Sequence, residues 1–142
     1  MKIVFEALKK GIKVPSKAHA NDVGYDVFCP LDEIEIEPAN TVLVKVGFKV
    51  QIPNDYWLAV CSRSGHATKG VLVTNAPGVI DPNYRDEIGI ILSNVGETVK
   101  TFHKGDKIAQ LILMPRLDIE FVDGKVDETE RKGGFGSTDE KK

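Results

Sequence analysis

Hydrophobic and polar positions alternate with a period of two along most of this 142-residue chain. The clearest run is "TVLVKVGFKVQI", residues 41–52. Val42, Val44, Val46, Phe48, Val50 and Ile52 fall on one side, and Thr41, Leu43, Lys45, Gly47, Lys49 and Gln51 on the other. Successive side chains of a strand point to opposite faces, so this pattern predicts a long strand with one buried face. Shorter runs of the same kind are "KIVFEAL" (2–8), "EIEIE" (33–37), "YWLAVCS" (56–62), "EIGIIL" (87–92), "VKTF" (99–102), "KIAQLILM" (107–114) and "LDIEFV" (117–122). Turn formers separate them: "EPAN", "IPND", "NVGE", "HKGD" and "VDGK". Asp123-Gly124 suits a two-residue hairpin turn between "IEFV" and "KVDE". No stretch has the period of an amphipathic helix, although "GHATKG" leaves room for a short one. Many short strands at this spacing predict an all-β sandwich or barrel.

The pattern stops near residue 124. "DGKVDETERKGGFGSTDEKK" is polar, charged and glycine-rich, with Phe135 its only aromatic residue. Such a composition cannot bury enough apolar surface to order itself. We therefore divide the chain into a β domain, 1–124, and a mobile C-terminal arm, 125–142. Within the arm, "GGFGST" combines glycines with one ring and two hydroxyls. It reads either as a disordered tail or as a flap whose backbone can approach a ligand while the ring covers a flat surface.

Composition narrows the functional classes. The length suits one domain with a real core. Hydrophobic content of 42%, charged content of 28% and a net charge of −2 are ordinary for a globular protein. This balance gives no reason to expect a nucleic-acid partner. Cys29 and Cys61 form neither a CxxC pair nor a zinc-like set, which argues against a disulfide framework or thiolate metal site. The N-terminus is too charged for a signal sequence, and no apolar run approaches the ~20 residues of a membrane helix. The expectation is a cytoplasmic protein without a membrane segment.

Four segments could carry chemistry. Arg63-Ser64-Gly65 follows the strand "YWLAVCS" and offers a guanidinium fork, a hydroxyl and an approachable backbone N–H, all suited to phosphate. "VTNAPGVIDPNYRDEI" reads as a strand, a tight turn and a second strand, with Asn75 able to read a base edge. Its Asp81 could accept a proton from water, and Tyr84 could pack against a sugar. Gln110 interrupts the apolar strand "KIAQLILM", and a buried amide there needs hydrogen-bond partners. Asp26 opens a strand after a glycine in "NDVGYDVF". Read one at a time, these are equally turn and strand-end residues.

Together and in order they say more. "PSKAHANDVGYDV", "SRSG", "NAPGVIDPNYRDEI", "KGDKIAQLIL" and "ERKGGFGST" resemble the five motifs of the trimeric dUTP diphosphatases, or dUTPases, from about Pro15 to Thr138. That resemblance implies a jelly-roll-like β fold, a homotrimer with shared active sites, and Mg²⁺-dependent hydrolysis of dUTP to dUMP and pyrophosphate. Such a reaction limits uracil incorporation into DNA and supplies dUMP for thymidylate synthesis. By the same resemblance Asp81 is the general base. Asn75 and the backbone of Gly78, Val79 and Ile80 recognise uracil, and Tyr84 excludes a ribose. Arg63, Ser64, Gly65 and Gln110 hold the triphosphate, and Asp26 positions Mg²⁺ through water. Phe135 and Gly136 cover the base, while Arg131, Ser137 and Thr138 reach the terminal phosphates.

The sequence departs from the family pattern at four places. Only Lys132 separates Arg131 from "GGFG", so either cation could meet phosphate. Asp139 follows "GST", Asp86 follows "YR", and Ser62 stands where proline is frequent. Three other readings remain: a weakly catalytic dUTP-binding sensor on the same fold, a dCTP deaminase relative, and a β-sandwich binding module without chemistry.

Overall fold

The computed structural model describes residues 1–139. It contains eleven strands: β1 (Val4–Ala7), β2 (Tyr25–Phe28), β3 (Glu33–Ile36), β4 (Thr41–Lys45), β5 (Phe48–Gln51), β6 (Tyr56–Cys61), β7 (Val71–Val73), β8 (Gly78–Ile80), β9 (Gly89–Asn94), β10 (Lys100–His103) and β11 (Lys107–Pro115). One helical turn, α1 (Ser64–Ala67), follows β6, and a 3₁₀ turn spans Ser137–Asp139. Alternation explains the strands. In β3, Ile34 and Ile36 are buried while Glu33 and Glu35 face out.

All strand pairings are antiparallel. A four-stranded sheet runs β2-β11-β6-β8, a three-stranded sheet runs β4-β9-β7, and β1-β5 and β10-β3 form two-stranded sheets. Val27, Leu58, Val60, Ile80 and Leu111 of the first sheet share one core with Val44, Val71, Val73, Ile90 and Leu92 of the second. The arrangement is the all-β sandwich that the alternation led us to expect, with the jelly-roll-like form that the resemblance implied.

Asn94 is the one polar residue fully buried among the described residues. Its amide donates to the carbonyls of Ile36 and Thr98, both at 2.8 Å, and its oxygen accepts from the Gly96 N–H at 3.0 Å. A buried amide with all these partners is tolerated and ties β9 to β3 and to the following turn.

Three sequence expectations are corrected. Residues 41–52 are two strands. The chain breaks at Gly47, whose φ of +85° no strand residue adopts, and β4 then pairs with β9 while β5 pairs with β1. The segment around Asn75 is not a hairpin, because β7 pairs with β9 and β8 with β6, so the chain crosses between sheets. The strand expected over 117–122 does not form, and the Asp123-Gly124 hairpin goes with it. A strand needs a partner edge, and Leu117, Ile119, Phe121 and Val122 are instead exposed.

Candidate active site

The four-stranded sheet places the candidate residues in rows. One face carries Leu58, Val60, Leu111 and Val27 into the core. On the other face, Asp26 lies opposite Gln110, and Gln110 opposite Cys61. The next row holds Ile112, Ala59 and Val79, and the one after it Met114 and Trp57. This outer face is therefore polar at one end and apolar along the rest.

At the polar end Asp26, Arg63, Ser64, Gly65, Lys107 and Gln110 line a cleft of about 350 Å³. Asp26 is 14% exposed and pairs with both Arg63 Nε and Lys107 Nζ, each at 3.2 Å. The carboxylate thus holds two cations at one wall. Gln110 Nε2 donates to the Ser62 carbonyl at 2.9 Å, which fixes the amide plane. Its second Nε2 hydrogen is left to donate into the cleft, while Oε1 packs against Gly24. Ser62 Oγ accepts from the Val73 N–H at 2.8 Å, a bond a proline there could not make. His66 Nε2 lies 2.6 Å from the Lys107 carbonyl, so that nitrogen carries the proton. Its ring meets Phe102 edge-on at 5.1 Å, which packs α1 against β10.

Gly24, His66 and Lys107 are missed by sequence reasoning, and Ser62 stands out there only as a departure from the family pattern. A Cβ on Gly24 would overlap Gln110 Oε1 and lie 2.8 Å from its Cδ, so only glycine lets β2 pass that close. Lys107 did leave a signal, standing three residues before Gln110 in "KGDKIAQLIL".

The residues expected to read a base sit elsewhere in the same chain. Val79, Ile80 and Tyr84 line a separate pocket of about 170 Å³ with Ile88 and Gly89. It shares no lining residue with the first cleft. Gly78 lies against Asn75, whose Nδ2 would be 3.2 Å from a Cβ there. Asp81 begins the connector to β9, is exposed, and makes no side-chain hydrogen bond among the described residues. The Tyr84 hydroxyl donates to the Glu87 carbonyl at 2.8 Å.

The arm meets neither half. Arg116 fastens the end of β11, donating to the Asp55 carbonyl from its backbone at 2.8 Å and to Asn54 from Nε at 2.6 Å. Beyond Asp118 no hydrogen bond or ion pair among the described residues reaches the body. Arg131, Gly136 and Thr138 are exposed with it. Phe135 is fully exposed at a φ of +54°, rare for an aromatic residue, between Gly133 and Gly136, which also have positive φ. Ser137 Oγ is buried beneath Gly133 with no hydrogen-bond partner among the described residues.

The donor set also bears on a metal. No group of three His, Cys, Asp or Glu side chains gathers among the described residues. One carboxylate beside cationic and amide groups does not make an all-protein cage. It fits Mg²⁺, which keeps its waters and is commonly held by one or two carboxylates together with substrate phosphates. No described helix is long and apolar enough to cross a membrane.

The family model described as dUTPase matches residues 10–139. A deoxyuridine 5'-triphosphate nucleotidohydrolase of Clostridium tetani (strain Massachusetts / E88) is 44% identical over 92% of this chain and 92% of its own. One of Hydrogenobaculum sp. (strain Y04AAS1) is 40% identical over 97% and 98%. Among solved structures, a mutant dUTPase of Staphylococcus bacteriophage 80alpha with dUpNHpp superposes with a TM-score of 0.81 at 25% identity, covering 96% of this chain and 98% of that one.

Proposed function

The chain belongs to the dUTPase family, and on that premise we propose how it hydrolyses dUTP to dUMP and pyrophosphate. The observation that carries the reading is the polar row on the outer face of the four-stranded sheet. Asp26, Gln110 and the Arg63–Gly65 turn form a phosphate cleft at the end of an apolar surface.

In this reading Asp81 takes a proton from water as the water oxygen attacks the α-phosphorus. The bond from that phosphorus to the bridging oxygen breaks, and pyrophosphate leaves. Arg63, Ser64, the Gly65 N–H and Gln110 hold the phosphates and stabilise the charge that grows on the leaving group. Asp26 would hold Mg²⁺ through water, and the metal would supply charge neutralisation at the phosphates. Asn75 and the backbone of Gly78, Val79 and Ile80 pair with uracil; cytosine presents donors and acceptors reversed and leaves buried groups unpaired. Tyr84 closes the space a 2′-hydroxyl would need. Arg131 or Lys132, with Ser137 and Thr138, reaches the terminal phosphates as Phe135 and Gly136 cover the base.

Two further parts of the reading concern assembly. The chain divides into a body, 1–124, and an arm, 125–142, whose last three residues lie outside the described ones. The enzyme is a homotrimer with shared sites. Support comes from the disjoint clefts, the apolar outer face with Val79 and Met114 exposed, and the uncovered Leu117, Ile119 and Phe121. A cytoplasmic location fits two cysteines that are both free thiols.

The test is pyrophosphate release from dUTP, dCTP, dTTP and UTP, each with Mg²⁺ and with EDTA. Release from dUTP alone, lost in EDTA, is the expected result. Ammonia from dCTP, or dUTP binding without turnover, would refute the reading.

A further inference from the structure

The connector between β8 and β9, residues 81–88, carries Asp81 and Tyr84 but has few holds on the protein. Its side-chain hydrogen bonds stay mostly within itself. Arg85 donates to the carbonyls of Pro82 and Tyr84, and Tyr84 to that of Glu87. Among the described residues only one side chain of the connector bonds the body. Glu87 Oε2 accepts the Gly47 N–H at 2.7 Å, forty residues away in sequence.

That contact is specific in its chemistry. Gly47 is buried and turns with positive φ between β4 and β5. A Cβ there would come within 2.5 Å of Ile12 Cδ1, so the turn is closely packed. Its N–H points out of both ladders and needs an acceptor. Glu87 supplies a charged one, and the neighbouring pairs continue the seam: Ile88 N–H to the Phe48 carbonyl at 3.1 Å and Val46 N–H to the Ile88 carbonyl at 3.0 Å. The same Glu87 offers its backbone carbonyl to the Tyr84 phenol. Glu87 therefore adds a side-chain hold on the turn to the Ile88 backbone pairs, and its own carbonyl receives the Tyr84 phenol.

We propose that Glu87 is a positioning residue for substrate discrimination, holding Tyr84 through the Gly47 anchor. The proposal rests on the reading of Tyr84 as the group that rejects a ribose. Glu87 touches no substrate in this account. Without its carboxylate the connector keeps the Ile88 pairs to Val46 and Phe48 but loses its side-chain hold on Gly47, which frees the turn that carries Tyr84. The ring then drifts, and selectivity falls before catalysis does.

The experiment measures kcat/KM for dUTP and for UTP in wild type, Glu87→Ala, Glu87→Gln and Tyr84→Ala, well below each variant's melting temperature. Glu87→Ala should lower the dUTP:UTP ratio at least tenfold. Glu87→Gln keeps an acceptor oxygen and should recover most of it, a rescue that general destabilisation would not produce. A wild-type ratio in Glu87→Ala, or no recovery in Glu87→Gln, overturns the proposal while Tyr84→Ala still shows the gate. An unchanged ratio in Tyr84→Ala overturns the reading of Tyr84 and the proposal with it.

Discussion

Gly24→Ala alters one methyl group and should disable the phosphate cleft. The added Cβ would overlap Gln110 Oε1 and stand 2.8 Å from Cδ, while β2 is held in register against β11. The amide must swing away, breaking its 2.9 Å bond to the Ser62 carbonyl. One net hydrogen bond is worth about 1 kcal/mol, and overpacking costs about 1–3 kcal/mol, so we expect a loss of roughly 2–4 kcal/mol in stability. Displacing one aligned donor from a developing charge costs on the order of 100-fold in turnover. Pyrophosphate release and urea melts measure the two effects. The decisive comparison is with Gln110→Ala, which removes the obstructing amide and leaves only a Cβ at 3.2 Å to give way. Placed in that background, Gly24→Ala should cost little more activity and less stability than in wild type. Full turnover in Gly24→Ala, or equal losses in both backgrounds, would refute the reasoning.

Asp81→Asn should fold and bind dUTP yet lose about 10²–10⁴-fold in kcat, as read by single-turnover hydrolysis. If Asp81 and Gln110 of one site come from different subunits, mixing inactive Asp81→Asn and Gln110→Ala proteins and allowing subunit exchange should restore activity; no recovery would assign both groups to one chain. Asn94→Ala removes one buried and two part-buried hydrogen bonds and should lower unfolding free energy by about 2–4 kcal/mol, measured by denaturant titration. Burial pushes the Cys29 and Cys61 thiols up, so the folded state holds those protons more tightly. Unfolded thiols ionise from pH ~8.5, so that stabilisation is present below this pH and is lost as pH rises. Melting temperatures should fall between pH 8 and pH 10, and less steeply in Cys29→Ala/Cys61→Ala.

The strands were legible wherever side chains alternate across a half-buried sheet, as in "EIEIE" and "EIGIIL". Pattern alone did not show that Gly47 divides a continuous alternation, because the break lies in a backbone angle. It also could not show that β7 and β8 part company, since pairing depends on distant strands. For "LDIEFV" the alternation is real, but no edge within one chain receives it. Arg63, Ser64, Gly65, Asp26 and Gln110 could be picked out by residue type, and the structure gathers them in one cleft. Gly24 and Glu87 could not, because one acts by lacking a side chain and the other by bonding a backbone amide forty residues away.

The longest strand is the last to be made. β11 is inserted between β2 and β6, so the sheet that bears Asp26 and Gln110 has a gap at its centre until residues 107–115 arrive. A nascent chain leaving the ribosome therefore exposes the facing edges of β2 and β6 from the time each is made until β11 arrives. At roughly 5–20 residues per second, the wait between β6 and β11 lasts a few seconds. Trapping arrested chains of increasing length by limited proteolysis would show protection of β6 rising abruptly once β11 clears the tunnel. Premature stops upstream of Lys107 would yield sticky fragments and no partial enzyme.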